Sequence, residues 1–155
     1  PLDYVFFACI KESDSGWKSI ISNCIKIFNK LKQKDPKTLK ILMSKFHFER
    51  RGFKFKEKIF SKPIFEFKNN ELRFRYLREY IETAYKIKKK KMPKNKVIAL
   101  NKLDSFLTNK SYQKRFRLNT GDIVIFNNKF LSHGRTKFKI NKNSAQRSLM
   151  RVWVN

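Results

Sequence analysis

Acidic residues are scarce in this chain, and so are histidine and cysteine. The 155 residues hold 12 Asp+Glu against 38 Lys+Arg, with two His and two Cys. Two cysteines allow one disulfide at most, and that is the lesser option here. Cys9 and Cys24 both lie in apolar segments and are expected to be buried free thiols in a reducing, cytoplasmic setting. Long apolar runs are missing too: the longest, Tyr4–Ile10, is far too short to span a bilayer, so no membrane partner is expected. No signal peptide is visible, because no basic segment opens the chain. It starts Pro-Leu-Asp-Tyr without an initiator Met and enters a strand almost at once, which reads as a cut through a larger protein. Internal repeats and an inter-domain linker are also missing, so residues 1–155 are expected to form one domain.

What is present argues for a folded core. Hydrophobic residues make up 41% of the chain and 16 of them are Phe, too much apolar surface to leave in water. The formal charge of +26 favours polyanions non-specifically, through counterion release from phosphates. Most of the excess is lysine scattered along the chain beside Ile, Asn and Phe, without an aromatic-flanked nucleic-acid signature.

Val5–Ile10 is a continuous run of β-formers and reads as a buried strand. From Lys18, the apolar residues Ile20, Ile21, Cys24, Ile25, Phe28 and Leu31 follow helical spacing, predicting a helix to about Lys32. Asp35-Pro36 opens a second, short helix with Asp35 as its N-cap. Phe46/Phe48, Phe53/Phe55 and Leu72/Phe74/Tyr76 alternate with polar residues as strands do, the last group following the turn Asn69-Asn70. Tyr80–Tyr85 and the stripe Ala99, Leu100, Leu103, Phe106, Leu107 are helical, separated by the basic connector Lys86–Lys96. Strands follow at Arg115–Leu118 and, beyond the turn Asn119–Gly121, to the end of the chain. Early helices and many short late strands fit a mainly β, jelly-roll-like sandwich with flanking helices.

The chemistry concentrates in GDIVIFNNKFLSHGRTKFKINKNSAQRSLMRVWVN, Gly121–Asn155. His133 ends a strand and is followed by Gly134, expected to permit close backbone approach or a positive φ. In the final strand Arg147, Leu149, Arg151 and Trp153 share one face, and Met150, Val152 and Val154 the other. With both faces largely apolar, that strand is expected to be buried and its arginines to need anions. A bound carboxylate suits the planar guanidinium fork; pairing with Asp122 or Glu71, or exposure at a strand end, is the alternative.

This stretch resembles the C-terminal signature of the iron(II)/2-oxoglutarate-dependent dioxygenases of the taurine dioxygenase and clavaminate synthase-like family: Gly-Asp-(apolar)-Phe-(Asp/Asn)-Asn, then His-Gly-Arg, then Arg-x-Leu-x-Arg-(apolar)-Trp. The opening PLDYVFFACI followed by Gly16-Trp17-Lys18-Ser19 resembles that family's Pro-x-Tyr strand and its Gly-Gly-x-Thr. Three positions depart from the pattern: Trp17 stands for the second Gly, Ser19 for Thr, and Asn127 for the commoner Asp.

The resemblance implies a double-stranded β-helix (jelly roll), incomplete at its N-terminus. It implies Fe(II) and 2-oxoglutarate as cofactor and co-substrate, with His133 as a metal ligand. Arg147 and Ser19 then hold 2-oxoglutarate, and Arg151 binds an acidic group of a small carboxylate or amino-acid-like substrate. The family's His-x-Asp/Glu, which supplies the other two ligands, would fall upstream of Pro1. His47-Phe48-Glu49 has the i, i+2 spacing for two ligands on one strand face but the wrong place in the pattern. Two further readings stand beside the oxygenase: a non-catalytic remnant of the fold, and a basic nucleic-acid-binding module built on Lys86–Lys96 and Lys110–Arg117.

Overall fold

A computed structural model describes residues 3–12, 18–51, 56–136 and 147–154. The sequence motifs at Pro1-Leu2, Gly16-Trp17 and Phe53/Phe55 lie outside those residues. Among the described residues the fold is mostly β with four α-helices. Its backbone contacts gather into two units: Pro1–Cys24 with Asn109–Asn155, and Ile25–Thr108.

The first unit holds two three-stranded antiparallel sheets. In one, β1 (Tyr4–Lys11) runs between β8 (Ile123–Asn127) and β10 (Ser148–Val154). In the other, β2 (Ser19–Asn23) runs between β7 (Gln113–Phe116) and β9 (Leu131–Arg135). Side chains alternate across a strand, so register decides which residues share a face. Phe7 stands opposite both Arg151 and Val124, and Val5 opposite Trp153 and Phe126, so these line the inner face of the first sheet. Gly121, with φ +90°, makes the turn into β8; its N–H donates to the Cys9 carbonyl at 2.9 Å.

Three expectations for this unit need correction. Residues 19–23 are strand rather than helix, and the helix α1 begins only at Cys24 and runs to Lys34. The β-branched Ile20 and Ile21 pair with Arg115 and Lys114 on one side and Gly134 and His133 on the other, and that ladder outweighs their helical spacing. Ser19 therefore opens β2. The run Val5–Ile10 is central in its sheet but buried on one face only: Val5 and Cys9 are buried while Ile10 is exposed. β10, expected to be buried, is an edge strand whose residues are mostly exposed.

The second unit follows the sequence closely. Asp35 caps α2 (Pro36–Leu42), its carboxylate accepting the Thr38 N–H at 3.0 Å. Its partnership with the Lys102 ammonium, together with the Thr38 donors, pulls the carboxyl down to about 2. The hairpin β3 (Phe46–Glu49) and β4 (Ile59–Lys62) buries Phe46 and Phe48. A second hairpin joins β5 (Phe65–Lys68) to β6 (Glu71–Phe74) through Asn69 and Asn70, both at positive φ (52° and 61°), as a two-residue turn of the primed kind requires. α3 (Arg78–Ile87) and α4 (Lys94–Thr108) follow. Arg78 and Tyr76 converge on Asp104, with Nη1–Oδ2 at 2.6 Å and the Tyr hydroxyl donating to Oδ1 at 2.5 Å. Phe65 touches Phe28 and Phe74 edge-on or tilted, at centroid distances of 5.5 and 5.0 Å. Phe46→Ala is expected to cost about 3–5 kcal/mol of unfolding free energy, because the side chain is fully buried. Urea denaturation measures this; a loss under about 1 kcal/mol would mean that the site collapses around the gap.

Candidate functional site

Between the two sheets of the first unit lies a cavity of about 490 Å³, lined from one side by Phe7, Phe126 and Arg151 and from the other by Ser19 and His133. Arg147 joins it from the residue just before β10. A volume of this order suits a small molecule. The register explains the convergence. His133 stands opposite Ile21 in the middle of β9, and Ser19, two residues before Ile21, emerges on the same face of β2.

The His133 ring is held between aromatic neighbours. Phe126 stacks on it at 5.9 Å with 8° between planes, and Phe7 meets it edge-on at 5.4 Å. Burial, and then the positive charge of Arg151, holds the imidazole below the ordinary histidine range. Its neutral, metal-ligating form is thereby favoured at neutral pH. The unfolded chain binds this proton near pH ~6.5 and the folded chain only at lower pH. Stability therefore rises with pH up to about 6.5 and is lost as pH falls through that window. His47 adds to the same trend, lowered by burial and by Lys88, Lys96 and Lys90. In NMR titrations Arg151→Ala is expected to move the His133 midpoint upward; an unmoved midpoint would show that the two charges do not interact.

The guanidinium of Arg147 donates from Nη2 to Ser19 Oγ at 3.1 Å. Arginine and hydroxyl thus form a donor pair on the cavity wall, matched to a carboxylate. Arg151 also lines the cavity but is exposed and lies over the Trp153 ring at 5.0 Å, so the expectation that both arginines are buried fails for this one. The cause is the edge position of β10. Asp122 accepts the Asn119 N–H at 2.7 Å, and Glu71 lies 3.9 Å from Arg73. Gly134 has no positive φ, and an added Cβ there would meet open space, contrary to expectation. Asn127 accepts the Lys129 N–H at 3.0 Å in the turn after β8, a task that needs no carboxylate. Phe7 and Phe126 escaped sequence reasoning as site residues, although their strand parity places them on the cavity face.

Cys9 and Cys24 are buried free thiols, and burial pushes Cys24 up to about 12, leaving it protonated and unreactive. His47 Nδ1 lies 2.8 Å from Ser61 Oγ, and Glu49 faces Arg51 Nε at 3.5 Å. Among the described residues no three His, Cys, Asp or Glu stand together as a metal site. No described helix is long and apolar enough to cross a membrane.

The model of the taurine catabolism dioxygenase TauD, TfdA family matches residues 1–153. The chain belongs to this family. No curated protein sequence matches it. Solved structures share the fold at low identity. One is an asparagine oxygenase in complex with Fe(II), 2S,3S-3-hydroxyasparagine and succinate, at 18% identity and a TM-score of 0.74. Another is the non-heme iron oxygenase OrfP in complex with Fe and alpha-ketoglutaric acid, at 14% identity and a TM-score of 0.66. The match covers 99% of this chain in both cases, but 45% of the asparagine oxygenase and 44% of OrfP. The chain thus spans under half the length of these family-fold structures.

The described residues can now be tested against the family's cofactors. An iron site of the 2-His-1-carboxylate kind needs three protein ligands on one face. His133 places one imidazole on the cavity wall, and no three His, Cys, Asp or Glu stand together among the described residues, so these residues alone do not fit the metal. The keto acid is a different matter: a guanidinium and a hydroxyl on the cavity wall are the donors that a carboxylate needs.

Proposed function

We propose that this chain provides the co-substrate clamp and one metal ligand of an iron(II)/2-oxoglutarate-dependent dioxygenase acting on a small, carboxylate-bearing, amino-acid-like substrate. The observation that carries this reading is the Arg147–Ser19 donor pair opening into the same cavity as His133. Arg147 and Ser19 take the distal carboxylate of 2-oxoglutarate, the guanidinium by two parallel N–H donors and the hydroxyl by a third. His133 stays neutral beside the cationic Arg151 and offers its imidazole to the metal. Phe7 and Phe126 fix the ring and keep water from its faces. Arg151, exposed at the cavity mouth, takes the substrate's acidic group. Iron, once the remaining ligands were in place, would supply the chemistry by which dioxygen converts 2-oxoglutarate to succinate and carbon dioxide, one oxygen atom going to succinate and the other to the substrate as a hydroxyl. The asparagine oxygenase complex with hydroxyasparagine and the OrfP complex with hydroxy-L-arginine support an amino-acid-like substrate.

A second reading is a 2-oxoglutarate binder without iron, favoured by the single ligand among the described residues. Titrating the full chain with 2-oxoglutarate, followed by NMR at Ser19 and His133, tests what both readings share. Saturable shifts at both residues are expected. Shifts confined to lysine-rich surface segments would sink both readings and leave only charge.

A further inference from the structure

Lysine crowds the C-terminal end of α3. Residues 86–96 read KIKKKKMPKNK, without an acid among them. The chain turns there in a Schellman-type cap: the Lys90 N–H reaches back to the Tyr85 carbonyl at 3.1 Å, and the Lys89 N–H to the Lys86 carbonyl at 2.9 Å. Lys89 takes the left-handed conformation, φ 51°, at a position ordinarily given to glycine. This turn folds Lys89, Lys90 and Lys91 back beside Lys86, and the four line one groove of about 450 Å³. Met92, Val97 and the buried Tyr85 give it an apolar wall.

The carboxylate on the groove wall is already engaged. Glu82 accepts Arg78 Nε at 2.8 Å, and Arg78 also holds Asp104 at 2.6 Å. Among the described residues no ion pair joins any of the four lysines to a carboxylate. A helix C-terminus favours a cation or two, and that influence fades within a turn. Four ammoniums gathered in one concavity repel one another, and an anion seated among them removes the repulsion. The positive field reaches further, to His47, whose ring lies 5.3 Å from that of Tyr85. Burial, and then Lys88, Lys96 and Lys90, holds its imidazole below the ordinary histidine range.

We infer that this groove binds a small polyphosphate, a ligand carrying two or more linked phosphate groups. A lysine ammonium is a compact point charge with three donors, suited to phosphate oxygens that present charge in every direction. Several such groups in one groove favour linked phosphates over a single one. The groove has the volume of a small-molecule site rather than the long track that a nucleic-acid backbone follows. Its one aromatic ring, Tyr85, is only 8% exposed and offers no face on which a base could stack. The site lies wholly within the second unit and is independent of the proposed oxygenase chemistry.

The test titrates the full 155-residue chain with sodium tripolyphosphate, and separately with orthophosphate, at about 0.15 M salt. Calorimetry is expected to show one equivalent of tripolyphosphate bound, about tenfold or more tighter than orthophosphate. The NMR titration midpoint of His47 should rise on saturation as the lysine field is neutralised, while that of His133 stays in place. Lys89→Ala combined with Lys90→Ala should weaken binding by about tenfold or more. Lys110→Ala combined with Lys114→Ala removes the same charge from exposed positions of the first unit and should change it by less than about twofold. Equal losses in the two double variants, several equivalents bound, or an unmoved His47 midpoint would overturn the site. Displacement of tripolyphosphate by 2-oxoglutarate would overturn it too, by placing the anion in the other cavity. A thymidine oligonucleotide held more tightly than tripolyphosphate, and released by the Lys89 and Lys90 substitutions, would assign the groove to nucleic acid instead.

Discussion

Arg147→Ala is expected to weaken 2-oxoglutarate binding by roughly 30- to 1000-fold, the equivalent of about 2–4 kcal/mol. The size follows from geometry. The guanidinium is half-buried on the cavity wall, where it donates to Ser19 Oγ at 3.1 Å, and a carboxylate meeting it there gains two charge-assisted hydrogen bonds away from bulk water. Alanine removes both and leaves the carboxylate facing Ser19 alone. Arg147→Lys keeps the charge but not the fork, so it should fall between the two. Ser19→Ala should cost about tenfold or less, as one neutral donor is worth about 1 kcal/mol. Calorimetric titration of the variants measures the series. Equal affinities across it would show that the keto acid binds elsewhere, on the lysine-rich surface.

The second large effect is a missing one. Supplied with Fe(II), ascorbate, oxygen and 2-oxoglutarate, the 155-residue chain should release no succinate above the protein-free rate. One imidazole cannot hold iron against water and buffer, and the described residues offer no cluster that completes the set. Joining the chain to a partner stretch that carries a His-x-Asp/Glu should bring turnover, and His133→Ala should then abolish it. Succinate made by the short chain and lost in His133→Ala would contradict this account of the metal site.

Where side-chain parity alone decides position, the sequence was a good guide. Arg151 and Trp153 share the inner face as their i, i+2 spacing requires, and the Asn69-Asn70 turn and the Asp35 cap form where local chemistry places them. The family motif led to His133, Arg147 and Ser19, which do line one cavity. Tertiary context decided the rest. Ile20 and Ile21 satisfy helical and strand patterns alike, and only the neighbours on β7 and β9 settle the matter. Apolar residues on both faces of β10 suggested burial, but burial needs something on each side, and the outer face has no cover among the described residues. The clamping of His133 by Phe7 and Phe126 depends on two sheets meeting, which periodicity within one strand cannot report.

The most direct test is a crystal structure of the chain soaked with 2-oxoglutarate. The account predicts the acid's far carboxylate forked on Arg147 and touching Ser19, with its keto end turned toward the imidazole of His133. A ligand seated outside the sheet-lined cavity, or His133 and Arg147 rotated to opposite sides of it, would contradict the account.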